Sequence, residues 1–114
     1  MDYFENIHES LALSVLDSER ILKNFFLNTA VEVTLISSYL NIKQTISISK
    51  ITCKAKFIHL IFSEFSDFHI NTVELDSIYY YSIGSLVFIF KNGSTLTFRP
   101  LNNLKKLNSS LSEK

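Results

Sequence analysis

The sequence predicts an α+β fold that is mainly antiparallel β, with an amphipathic helix at each end of about seven short strands. Three observations carry that prediction. Apolar side chains fall at helical spacing in residues 2–28, alternate with a period of two through most of 31–99, and recur as leucines three and four apart from Leu101 to Leu111. The chain has 114 residues, 46% apolar and 19% charged, which suits one domain, 1–114, able to bury its own core.

Phe4, Ile7, Leu11, Val15, Leu22, Phe25 and Phe26 lie on one side of a helical wheel, so residues 1–28 read as an N-terminal helical segment. Asp2 and Glu5 have capping-box spacing, and Asp17-Ser18-Glu19 marks a restart or kink because Leu13 and Leu16 fall off the stripe. From Val31 onward β-branched and aromatic residues dominate. Strands are expected near 31–36, 39–48, 51–62, 68–75, 77–82, 86–91 and 94–99. Ile42, Ile46 and Ile48 share one parity, whereas Ile51, Cys53, Ala55 and Phe57 share the other. The switch near Ser49-Lys50 demands a turn or bulge, since one extra residue sends every later side chain to the opposite face.

Leu86 to Lys91 and Ser94 to Arg99 flank Asn92-Gly93. That dipeptide favours a two-residue type I′ turn, which pairs Ile89 with Leu96 and Val87 with Phe98 and puts those four on one apolar face. Pro100 suits the first turn of a helix. Leu101, Leu104, Leu107 and Leu111 then form a short apolar stripe that needs the strands to pack on.

Strands 73–78, 86–90 and 95–98, the Asn92-Gly93 turn and the Leu101–Leu111 helix resemble the second half of bacterial PH-like and GRAM-like domains. The resemblance is one of pattern and element order, and it covers roughly residues 31–112. It implies a PH-like barrel of about seven strands with the C-terminal helix plugging one end. The N-terminal helix is additional to that family, and the helical Trp of many PH domains is missing because the chain has no Trp.

The residues for catalysis are sparse. His8, His59 and His69 have no His or Cys partner at metal-ligand spacing, so they read as structural histidines and no metal is expected. Ser66, Asp67 and His69 supply the letters of a hydrolase triad, but neighbours on one segment do not assemble that relay. Cys53 shares its parity with apolar residues and reads as an inert core thiol. Gly84 and Gly93 are the only glycines, too few for a glycine-rich phosphate loop. Neither catalytic nor cofactor-binding residues are expected.

Eleven Lys+Arg offset eleven Asp+Glu, which argues against a protein that grips nucleic acid through net charge. The distribution is uneven, however. Residues 33–63 hold four lysines and no acid. Lys43, Lys50, Lys54 and Lys56 therefore form the candidate anion or nucleic-acid patch, with solvated edge lysines as the plainer alternative. Tyr79, Tyr80 and Tyr81 form the candidate interaction surface, because tyrosine combines contact area with a polar tip.

The expected function is a non-enzymatic binding module for protein–protein interaction or regulation. An RNA-binding β-barrel regulator and a binder of anionic lipid headgroups are the alternatives. A homodimer is expected through the N-terminal stripe, whose apolar area exceeds what one small barrel needs to cover. An acidic start, one cysteine and no apolar run of membrane-spanning length point to a cytoplasmic protein. The abundance of Ile, Asn, Lys and Phe fits the AT-rich coding sequence of a bacterium or mobile element.

Overall fold

The computed structural model describes residues 10–63 and 66–101. Strand β1 is Leu11–Ala12, helix α1 is Val15–Ile21, and a π-helical segment continues over Leu22–Phe26. A continuous helix from residue 2 is therefore not what the described part of the segment forms. Ser14 starts the helix: its Oγ accepts the Asp17 N–H at 3.1 Å, and the Asp17 carboxylate accepts the Ser14 N–H at 3.4 Å. Leu11 to Leu13, just before that cap, meet their hydrogen-bonding needs on a strand instead. Leu11 and Ala12 pair with Tyr80 and Tyr79, and the Leu13 N–H donates to the Ile78 carbonyl at 2.8 Å. The Asp2–Glu5 box lies outside the described residues.

Seven further regular strands and one short helical turn follow: β2 Ala30–Ile36, β3 Asn41–Ser47, β4 Lys50–Lys54, β5 Phe57–Ser63, β6 Ser66–Asn71, a 3-10 turn Thr72–Glu74, β7 Leu75–Tyr80 and β8 Leu86–Phe90. The last described strand, β9, is Thr95–Pro100. The strands form a six-stranded sheet in the order β1-β7-β8-β9-β2-β3 and a three-stranded sheet β4-β5-β6, with every strand pair antiparallel. The α+β, mainly antiparallel expectation holds at this level.

The sheets do not close into a barrel. The chain leaves the large sheet after β3 and returns to it through the Thr72–Glu74 turn, so β3 does not pair with β4, nor β6 with β7. The parity switch read in the sequence marks the first crossing. Ile48 and Ile51 are both buried although they differ in parity, because between them the chain passes from one sheet to the other. At Ser49 the N–H already donates to Ile61 of the small sheet, at 2.7 Å. The single strand expected over 51–62 is two, folded at Ala55-Lys56 without Gly, Pro or Asn.

The β8–β9 hairpin differs by one residue from its expected register. Leu86 pairs with Phe98, Val87 with Thr97, and Phe88 with Leu96. The Phe90 carbonyl accepts the Gly93 N–H, and the Phe90 N–H donates to the Ser94 carbonyl, each at 2.9 Å. This is a three-residue connection with Gly93 at φ 91°, the positive-φ bulge position, and Asn92 is not in that region. One added loop residue reverses the faces of β8. Leu86 and Phe88 go inside with Leu96 and Phe98, while Val87 and Ile89 are half-buried on the other side.

The core lies between the sheets. Ile51, Ile58, Leu60 and Ile70 of the small sheet face Val31, Val33, Leu86, Phe88, Leu96 and Phe98 of the large one. The helical segment adds Leu22 and Phe26, both with no exposed surface. Phe98 is the aromatic hub, with ring centres of Phe88, Phe26 and Phe68 at 5.8, 6.2 and 6.5 Å. Leu22 and Phe26, which the expected dimer placed on a shared stripe, are thus occupied within the chain. Leu11, Leu16 and Phe25 remain exposed. The expected C-terminal stripe from Leu104 to Leu111 lies outside the described residues.

Candidate functional site

The outward face of the small sheet is an ordered grid of side chains. Pairing aligns Lys50 with Ile61 and Asp67 in one row, Thr52 with His59 and His69 in the next, and Lys54 with Phe57 and Asn71 in the third. Paired residues of antiparallel strands share a face, so the opposite parity supplies the core and this one meets solvent. His59 and His69 stack with centroids 4.2 Å apart and planes 16° apart. The ring of Phe57 meets His69 nearly edge-on at 5.7 Å. The Asp67 carboxylate lies 2.8 Å from His59 Nε2. Lys54, Phe57, His59 and His69 line a recess of about 370 Å³.

His59 and His69, which have no metal-ligand spacing in the sequence, meet in the structure, and His8 lies outside the described residues. Ten residues separate His59 from His69 in the sequence, but the β5–β6 register makes them direct partners. One local signal was present: Asp67 and His69 are two apart, and on a strand that spacing puts both on one face.

The four lysines do not gather in one patch. Lys50 and Lys54 share the outward grid, Lys56 lies in the adjoining turn, and Lys43 belongs to β3 of the other sheet. There Lys43 lines a separate recess of about 400 Å³ with Glu32 and Arg99, which face each other at 3.8 Å. Tyr79, Tyr80 and Tyr81 are all half-buried. Strand β1 covers the edge beside Tyr79 and Tyr80, and the Tyr80 ring stacks on Phe25 at 6.2 Å. Burial raises the Tyr80 phenol above its ordinary value. Tyr81 opens the turn to β8: its N–H donates to the Ser85 carbonyl and its carbonyl accepts the Gly84 N–H. Cys53 packs half-buried against the core. Burial first, then the Glu19 carboxylate nearby, raises its thiol pKa.

A further surface escaped the sequence reading. β3 is one end of the large sheet and pairs only with β2 among the described residues. Six of its seven residues are exposed. At its tip Tyr39 is 95% exposed and Leu40 55%, with Ile36 and Ile42 also exposed beside them. Ile42, Gln44 and Ile46 line one side of an apolar cleft of about 280 Å³, closed on its far side by Phe62 and Phe68 of the small sheet. Alternation along 41–47 identified a strand, but not that it would be an edge.

No family model and no curated protein matches the chain. Among solved structures, the one titled "Crystal structure of ChuX" is similar, with a TM-score of 0.60 over 93% of this chain and 79% of that one. The two are 12% identical in sequence, so the likeness is one of fold. Among the described residues, no helix is long and apolar enough to cross a membrane.

Proposed function

We propose that the chain is a non-enzymatic protein-binding module that takes an extended segment of a partner polypeptide along β3. One observation carries the reading: an edge strand that pairs on one side only among the described residues runs beside an apolar cleft. Edge strands offer rows of backbone donors and acceptors to an incoming strand. Here Ile42, Gln44 and Ile46 line the cleft at two-residue spacing. A strand added beside them would send alternate side chains into the same cleft, so the favoured partner segment alternates apolar residues. Tyr39 and Leu40 extend the apolar surface at the hairpin tip, where an exposed tyrosine makes a good anchor.

The test is a display selection of random peptides on the purified full chain, followed by NMR of the complex. The selected peptides should alternate apolar residues and shift the backbone amides of Asn41–Ser47. Ile42→Lys should weaken binding by about tenfold or more, the scale of one buried apolar anchor. Concentration-dependent shifts of those amides without peptide would make a second copy of the chain the partner. Shifts on the Lys50–Lys54 face instead, with steep salt dependence toward RNA or anionic vesicles, would overturn the reading.

A further inference from the structure

We propose that His59, Asp67 and His69 form a site for a divalent transition-metal cation of the zinc type on the outward face of the small sheet, a face separate from the β3 edge. One ligand atom from each of the three side chains can be chosen such that all lie within 4.8 Å of one another. A tetrahedral zinc with bonds of about 2.0–2.1 Å holds its ligand atoms about 3.3 Å apart, so closing the site takes side-chain movements of about 1 Å or less. No backbone change is needed, because the β5–β6 register already sets the two imidazoles side by side and Asp67 precedes His69 by two residues on the same face.

The rings are also held. Phe57 packs edge-on against His69, His69 stacks on His59, and His59 meets the Asp67 carboxylate. Each imidazole's lone pair lies in its own ring plane, so ligation tilts the two rings out of their stack and replaces the His59–Asp67 contact with bonds to the ion. The donor set chooses the class of ion. Two imidazoles with one carboxylate suit zinc, copper or nickel, whereas magnesium and calcium require mostly oxygen ligands. A water reaching the open recess can complete the tetrahedron. Lys54 lines that recess and opposes the cation, while Asp67 supplies the compensating charge. An exposed His–Asp pair adds little to stability by itself, so the fold does not require this arrangement.

The test is titration of the chelator-stripped full chain with zinc sulfate, by calorimetry and by NMR of the imidazole protons. Saturation at one zinc per chain is expected, with the His59 and His69 signals moving together and magnesium chloride moving neither. His59→Ala and His69→Ala should each weaken zinc binding by at least about tenfold, and Asp67→Asn should do so less. Lys54→Ala should strengthen it. Cys53→Ser and His8→Ala should leave it unchanged, and melting curves check that the variants fold. Zinc binding that survives His69→Ala or disappears with Cys53→Ser would overturn the proposal, as would its absence from the wild-type chain.

Discussion

Truncating Phe26 to alanine tests whether the helical segment belongs to the core of its own chain. Phe26 has no exposed surface, and its ring lies 6.2 Å from that of Phe98. A Phe→Ala change at such a site costs about 3–5 kcal/mol, the lost transfer energy plus the cavity left behind. For this chain length an unfolding entropy of about 2.1 cal/mol/K per residue amounts to about 240 cal/mol/K, so each kcal/mol moves the melting temperature by about 4 °C. Phe26→Ala should therefore melt about 12–20 °C below the wild type. The neighbouring residue is the internal control. Phe25 is 44% exposed and makes one stacked contact, with Tyr80. Its truncation should cost about 1–2 kcal/mol, or about 4–8 °C. Denaturant unfolding monitored by circular dichroism would give both values, with unchanged m-values confirming that the unfolded states are comparable. Equal losses for the two variants, or a loss below about 1 kcal/mol for Phe26→Ala, would refute the packing of Leu22 and Phe26 in the core of the chain.

Gly93→Val should lower the melting temperature by about 4–8 °C, since a β-branched residue at positive φ is strained by about 1–2 kcal/mol. Nothing lies within 4 Å of an added Cβ there, so the backbone alone sets the cost, and an unchanged melting temperature would refute the bulged hairpin. Alkaline stability offers a third check. Burial raises both the Cys53 thiol, from an ordinary 9.0, and the Tyr80 phenol, from an ordinary 10.0. The unfolded chain releases these protons first, so their stabilising contribution is complete below the ordinary values and is lost as pH rises through the folded ones. Urea midpoints should therefore fall on going from pH 8 to pH 11, and less steeply in a Cys53→Ser, Tyr80→Phe double variant; an identical slope would place both groups in solvent.

Features that depend on near neighbours were legible along the chain. Alternation marked most of the strands, the parity change at Ser49-Lys50 marked a break, and Gly93 was correctly placed at positive φ. These features follow from side-chain period and turn sterics, which act over a few residues. Where the break led was a matter of long-range packing. A parity change is equally compatible with a bulge in one sheet and with a crossing into another, and the shared burial of Ile48 and Ile51 between two sheets is a non-local outcome. The hairpin register turned on one loop residue, because the interior gained Leu86 and Phe88 opposite Leu96 and Phe98 when Gly93 took the bulge. The His59–His69 pair and the place of β3 at the end of the described sheet arose in the same way. Each depends on which strand lies beside which, a choice set by burial across the whole chain and invisible in the spacing of residues along one segment.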